Sequence, residues 1–491
     1  MFALLLVVAC SSPGGADKPG SGTIEDDSGA ASDSDPDQVS DGGSGDDDSG
    51  PSGSDGSDGS DDTAPHIPQS CIVELETTPK NVLMISIDTL RRDAIGRYGG
   101  GDNTDFLDKL MDEGLALDDH RSCSNWTYAS ILCTLTGRYN EENDFFPIGG
   151  GRQAMDDTER APPLRDDIPT MADWAREQGF ISGLISANGF FDTTYNTGSR
   201  YDSAEIAIVA AGDIVDGALA IADEELLPDG RPWFLHAHFL DPHTPYNPPG
   251  TYVNDELRDL PSVAWDLRTS GGLLEAVNAF PTLTDKERAA IRAHLAVLYG
   301  GEVAYLDDQV ERMFEGLNER GMLDDTLVVL WSDHGEQFFD HSGFGHHVDL
   351  YTEETHALGA FWSRSMVEPL AWSEPTSPID IVPTVACLMD LPAFESSTGA
   401  PVGESRRNRP RFASTLHDTW SQSSVERDGL RLVYRWSGSK ELFNLSEDPG
   451  EKSNRIDVYR DEADALWELL LPFVEIADPL NPYQSAGISP P

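Results

Sequence analysis

An α/β fold is predicted: a largely parallel or mixed sheet with helices on both faces, and a small antiparallel sheet at the C-terminus. Three observations predict it. Residues 81–87 (NVLMISI) and 326–332 (TLVVLWS) are near-continuous apolar runs with β-branched residues, the pattern of strands buried on both faces. Strand-like runs alternate with segments of helical period, as in doubly wound folds. The runs also stop on polar residues, with Asp88 after the first and Asp333 and His334 after the second. Open α/β sheets bind ligands beyond the carboxyl ends of their strands, so chemistry is expected there.

Taken in order, the strand at 81–87 ends at Asp88, and a helix is expected over 104–114. In RSCSNWTYASILCTLTGRY, Thr127 opens an apolar periodic segment read as a helix. Thr127 there is either an ordinary cap or lies at a terminus whose free N–H groups face an anion. Residues 168–178 read as a helix, and FISGLISANGFF as a strand that leaves Asn188 and Gly189 at its end. WFLHAHFLDPHTPYNPP is a further strand, followed by a loop in which prolines 242, 245, 248 and 249 forbid helix and carry His243. Residues 250–283 show no clear period and are expected to form an excursion over the site, followed by a long helix over 284–319 with Glu302 and Asp307. Further on, a short helix is expected at 378–391, two strands in LRLVYRWSGSKELFNL, and a last helix near 460–475.

The 491 residues carry a formal net charge of −54, which repels nucleic acid and anionic lipid and excludes both as expected partners. MFALLLVVAC at residues 1–10 is too short an apolar run to span a bilayer. Its ending on small residues and Cys10 resembles a lipoprotein signal, which implies export and a membrane anchor through lipid on Cys10. The lack of a positively charged start points to a true start upstream. Residues 11–70 hold 15 acidic residues against Lys18 alone and read as a disordered, self-repelling tether. A tether that binds calcium or a polycation is the alternative to a plain spacer. The expected domains are a catalytic one at 78–410 and a C-terminal subdomain at 411–491. Cys71, Cys123, Cys133 and Cys387 can pair in several ways, and sequence does not choose among them.

The stretch TLVVLWSDHGEQFFDHSGFGHH places Asp333 and His334 at a strand end, with His341, His346 and His347 following closely. A carboxylate and an imidazole at that place are metal-ligand chemistry. A turn Asp with solvated histidines is the bland alternative, and Asp88 together with the Asp241–His243 loop weighs against it.

These segments together resemble the sulfatase family of the alkaline phosphatase superfamily. The resemblance covers roughly residues 79–455 through NVLMISIDTLRRDAIGRYG, NWTYASILCTLTGRY, DPHTPY, GGEVAYLDDQV, SDHGEQF with GFGHH, and ELFNLSEDPGE, in family order. It implies an α/β/α sandwich with its metal site at the strand ends. Two departures stand out. The family's Cys or Ser, which becomes formylglycine in a C/S-x-P-x-R motif, is replaced by Thr127 in TYASI, with Ala129 and Ile131 where Pro and Arg stand. Thr89 replaces the second of the family's paired N-terminal aspartates. Formylglycine is therefore not expected, and threonine nucleophiles elsewhere in the superfamily act on phosphorus.

The expected site has Asp88, Asp333, His334 and the Thr127 oxygen around one divalent metal, with Thr127 as the metal-activated nucleophile. His243 and His346 are expected to contact the transferred group or protonate the leaving group. The alternative makes Asp241, His243 and His346 ligands of a second ion, with His341, His347 and Asn188 as supports in either case. A mixed carboxylate and imidazole shell favours Mn or Zn over Ca. The expected substrate is a small-molecule, glycan or lipid ester of sulfuric or phosphoric acid at the cell surface. A surface-anchored binding protein of the same fold, without turnover, is the rival.

Overall fold

A computed structural model describes residues 71–143, 148–149, 162–341, 343–403, 408–417 and 421–477. The signal and tether expected at 1–70, with Cys10, lie outside the described residues. Among the described residues, no helix is long and apolar enough to cross a membrane.

In chain order the first strands are β1 (Asn81–Ile87), β2 (Leu115–Leu117), β3 (Ile148–Gly149), β4 (Ile181–Ser186), β5 (Ser203–Ile206) and β6 (Trp233–Phe239). After the long helix come β7 (Thr326–Ser332), β8 (Gln337–Phe338), β9 (Phe344–Gly345), β10 (Gly359–Trp362) and β11 (Leu370–Trp372). Eight of them form one sheet in the order β11-β2-β10-β7-β1-β6-β4-β5. β10 runs against both its neighbours, and the remaining pairs are parallel. β1 and β7 lie in the middle, which is why their sequences are apolar on both faces.

Alternation along these strands feeds two cores. From β1, Leu83, Ile85 and Ile87 enter one cluster, and Val82 and Met84 the other. β7 splits likewise, with Val328 and Leu330 on the first side and Leu327, Val329 and Trp331 on the second. The helices Asp105–Glu113, Ala211–Ile221 and Asp285–Glu319 cover the first face. The helices Thr127–Thr136, Met171–Glu177 and Ile381–Leu388 cover the second. This is the expected α/β/α sandwich, each buried aliphatic side chain contributing about 1.5–3 kcal/mol.

Local chemistry sets the ends of these helices. Thr284 and Glu287 form a reciprocal cap at the start of Asp285–Glu319. From that helix, Asp307 accepts the free Phe106 and Leu107 amides at 2.9 and 2.8 Å, capping Asp105–Glu113 from across the core. The Thr127–Thr136 helix ends at Gly137 with φ 65°, where a side chain would also meet Ser397 Oγ at 2.5 Å. That accounts for the Thr136–Gly137 pair in the sequence.

Residues 250–283 are more ordered than expected. They form the helices Asn254–Asp259 and Ser270–Ala279, the latter capped by Thr269 and burying Leu273 and Ala276. With so few apolar positions, their period is too short to read in the sequence.

The C-terminal sheet comprises β12 (Arg411–His417), β13 (Gln422–Arg427), β14 (Leu430–Arg435) and β15 (Lys440–Asn444), all antiparallel. β3 adds to its edge in parallel, so a piece of the 78–410 segment completes it. The helix Arg460–Ala477 packs Leu466 and Leu470 against Val425, Leu432 and Leu442. The cysteines pair as Cys71–Cys387 and Cys123–Cys133.

Candidate active site

β1 and β7 are adjacent, parallel and in register, with Ile87 opposite Ser332. One residue further on, Asp88 and Asp333 therefore emerge side by side. His334 follows, and ligand atoms of Asp88, Asp333 and His334 all lie within 4.8 Å of one another. All three are fully buried. Gly335 is required because a Cβ there would meet the Glu353 carbonyl at 2.2 Å.

The donor set fits a divalent cation. Asp333 Oδ1 accepts the Thr89 and His334 amides at 3.1 and 2.7 Å, while Oδ2 is buried without a hydrogen-bond partner. His334 Nδ1 lies 2.8 Å from the Gly335 carbonyl, which calls for N–H on that side and leaves a lone pair on Nε2. Asp88 Oδ2 accepts from Asn188 Nδ2 at 2.8 Å, so Asn188 orients a carboxylate as expected. Thr89 adopts φ 54°, and its hydroxyl has no partner.

The electrostatics agree. Burial opposes ionisation of Asp88, but His238, His243 and His334 together hold it at about 2. Burial and the Asp88 charge push Asp333 well above the carboxylate range. Two such carboxyls accept one negative charge readily and a second only with a cation between them. Burial lowers His334 to about 4, keeping the imidazole neutral as a ligand must be.

Thr127 is the first residue of its helix. The cap position belongs to Trp126, which makes no side-chain cap bond, so the Thr127 hydroxyl is not spent on capping. It lies 3.4 Å from both Asp88 oxygens and 3.3 Å from His334 Nε2. His346 continues the cluster, its ring centroid 4.7 Å from that of His334 and 5.1 Å from that of His243. His243 Nδ1 is 2.6 Å from the Thr244 carbonyl.

The set considered for a second ion is not brought together. The Asp241 carboxyl pairs with Glu302 instead, and among the described residues the metal-competent cluster is Asp88, Asp333 and His334. His341 bonds to Glu353 and stacks on Tyr351, and His347 packs edge-on against Trp126 at 5.0 Å.

Sequence reasoning missed two residues. His238 on β6 is fully buried and places Nε2 3.7 Å from Asp88 Oδ2. Its signal was the pair of histidines in WFLHAHF, costly to bury in a central strand without a role. Glu354, also fully buried, accepts from Asn125 Nδ2 at 2.8 Å, Gln337 Nε2 at 2.6 Å, and the Val348 and Asp349 amides at 3.2 and 2.9 Å. It thus ties the segment before Thr127 to the loop after His346. The C-terminal sheet backs that loop through Arg435 and Gln422, which reach Asp349 at 2.7 and 3.1 Å.

A pH dependence follows. In the metal-free chain, burial raises Glu336 to about 7, and burial with Asp241 raises Glu302 to about 8. Both exceed the unfolded carboxyl value near 4.3, so the folded state holds protons that the unfolded state has shed. That stabilisation is complete below the unfolded value and is lost as pH rises through 7 and 8. The lowered histidines act below pH 6.5 and leave this window alone. Urea unfolding in chelator is expected to show about 2 kcal/mol less stability at pH 8.5 than at 6.5. A flat or rising profile would contradict the assignment.

Residues 80–391 match the family described as Sulfatase. A sulfatase of Formosa agariphila is 24% identical over 255 residues, 47% of this chain and 47% of its own. An arylsulfatase of Clostridium perfringens is 26% identical over 267 residues, 50% of this chain and 54% of its own. The match thus spans about half the length of these relatives. The solved phosphonate monoester hydrolase SpPMH of Silicibacter pomeroyi shares the fold, with a TM-score of 0.60 at 18% identity over 81% of this chain and 95% of that one. The family match covers most of the sandwich, and this chain belongs to the sulfatase family.

Proposed function

We propose that this chain is a metal-dependent hydrolase of sulfuric or phosphoric esters that uses Thr127 as its nucleophile and prefers phosphoryl substrates. The observation that carries the reading is the Thr127 hydroxyl, aimed at Asp88 and His334 from the first position of a buried helix. Asp88, Asp333 and His334 would hold one divalent ion, Mn or Zn in preference to Ca. When bound, the ion supplies positive charge that lowers the pKa of the Thr127 hydroxyl and offsets the charge on the transferred group.

The chain's own groups do the rest. The Thr127 oxygen attacks as the bond to the leaving oxygen breaks, water then releases the transferred group and restores the hydroxyl, and free amides of the helix's first turn face the oxyanion. His346 and His243 stand beside that position to contact its remaining oxygens or to give a proton to the leaving oxygen. A threonine, whose alcohol is secondary, cannot become formylglycine, so direct attack is the chemistry open to Thr127, and a phosphonate monoester hydrolase of the same fold is consistent with phosphorus as the target. An anchor on Cys10 would place this activity at a cell surface, on a small-molecule, glycan or lipid ester.

The test is metal analysis of the purified full chain, followed by turnover of paired aryl phosphodiester and aryl sulfate substrates with Mn, Zn or Ca. About one ion per chain is expected, with at least about tenfold higher kcat/KM on the phosphodiester. Faster sulfate hydrolysis would overturn the phosphoryl preference. A chain that takes up no metal would favour the binding-protein rival.

A further inference from the structure

Beneath the site lies a row of buried polar groups that the proposed chemistry does not use. Tyr201 OH is 2.8 Å from His236 Nδ1, His236 Nε2 is 2.8 Å from Ser86 Oγ, and Ser86 Oγ is 2.8 Å from His238 Nδ1. The row ends at His238 Nε2, which lacks a hydrogen-bond partner and faces Asp88 Oδ2 at 3.7 Å. Ser86, His236 and His238 are fully buried, and Tyr201 nearly so. Strand alternation makes the row: Ser86 pairs with His238 across β1 and β6, and His236 is two residues back on the same face.

Donor counting gives it a direction. Ser86 Oγ has two lone pairs and one hydrogen. The Asn188 amide, at 3.0 Å, takes one lone pair. One imidazole must then donate to Ser86 and the other accept from it. Sending the hydrogen to the Asn188 carbonyl, at 3.2 Å, would make both rings donors, one more than the oxygen can accept. The Asp88 carboxylate decides between the rings, because an imidazole lone pair facing it would be repelled. His238 therefore carries its hydrogen on Nε2 and accepts from Ser86, Ser86 accepts from His236 Nε2–H, and His236 Nδ1 accepts from Tyr201. Burial keeps the His236 imidazole neutral, as this pattern requires. The reverse direction would leave the Tyr201 hydroxyl hydrogen without an acceptor.

We propose that Tyr201, His236, Ser86 and His238 form a one-directional hydrogen-bond chain that positions the Asp88 carboxylate for cation binding. All four are positioning residues, acting through Asp88, and the proposal rests on the reading of Asp88 as a metal ligand. Outer groups of this kind change metal affinity by about 10–100-fold when lost. Asn188 belongs to the same arrangement, since its amide meets Ser86 and its side chain meets Asp88.

The experiment uses the full chain with ring-¹⁵N histidine, its resonances assigned through His236→Gln, together with calorimetric Mn²⁺ titration. In the unsubstituted chain, His236 and His238 are both expected to carry hydrogen on Nε2 and none on Nδ1. Tyr201→Phe removes one hydroxyl three links from His238. It is expected to shift the His238 signals and to weaken Mn²⁺ binding roughly tenfold. A packing role for Tyr201 moves neither reading. A hydrogen on His238 Nδ1 in the unsubstituted chain, or unchanged His238 signals and Mn²⁺ affinity in Tyr201→Phe, overturns the proposal. If the unsubstituted chain binds no Mn²⁺, the metal reading fails separately, and the tautomer pattern still decides for or against the chain.

Discussion

Thr127→Ala is expected to lower kcat/KM roughly a thousandfold to a millionfold on whichever ester is turned over, while the folded chain and its metal content persist. The loss amounts to about 4–8 kcal/mol of transition-state stabilisation. The fold should tolerate the change. Alanine is a better helix former than threonine, the cap position belongs to Trp126, and the hydroxyl's contacts are no shorter than 3.3 Å. Thr127→Ser keeps the oxygen at the helix start and is expected to retain activity within about tenfold. Turnover that survives in Thr127→Ala would mean that water, activated elsewhere, attacks the ester.

Asp333→Asn should separate stability from function. An asparagine can keep its carbonyl oxygen where Oδ1 accepts the Thr89 and His334 amides. Its amide nitrogen then takes the place of Oδ2, which has no partner and lies 3.5 Å from His334 Nε2. A buried carboxyl that ionises only against the Asp88 charge becomes a neutral amide, a donor between an imidazole and a carboxylate. The metal-free variant should be more stable than the metal-free parent by about 1–3 kcal/mol, the cost of leaving such a group unsatisfied. It should also lose the rise in Tm that the ion gives the parent. Thermal scans with Mn²⁺ and with chelator measure both. A variant that is less stable in chelator would show that Asp333 does not carry the repulsion described above.

The centre of the sheet was legible because physics leaves its strands little choice. A strand covered on both faces must be apolar throughout, so β1 and β7 stood out, and the carboxylates after them could only lie at its edge. The short strands β2, β10 and β11 hold their places through neighbours distant in the chain, and three or four residues carry no readable period. The same reason hid the helices at 254–259 and 270–279. Within the candidate site, Asp88, Asp333, His334 and Thr127, which the structure brings together, stand out in the sequence by type and position. Whether Thr127 capped its helix or faced the site was a question of side-chain direction, which spacing cannot answer. The Asp241 carboxyl had the right type and lies near the end of β6, yet it turns to Glu302, and sequence holds no record of that turn. His238 is hard to read as a site residue because WFLHAHF alternates as a half-exposed strand would, whereas β1 and β4 flank β6 and bury both its faces.

Glu354 fastens the segment before Thr127 to the loop after His346, and the C-terminal sheet presses on that loop from behind. Two segments beside the candidate site are therefore fixed to one another, and a change in one is felt by the other. Differences in the ester bound are expected in the turns after β4 and β6, where half-exposed groups such as Phe190 and Thr244 can be exchanged while Asp88, Asp333 and His334 stay as they are. Relatives that diverged in substrate should differ there first.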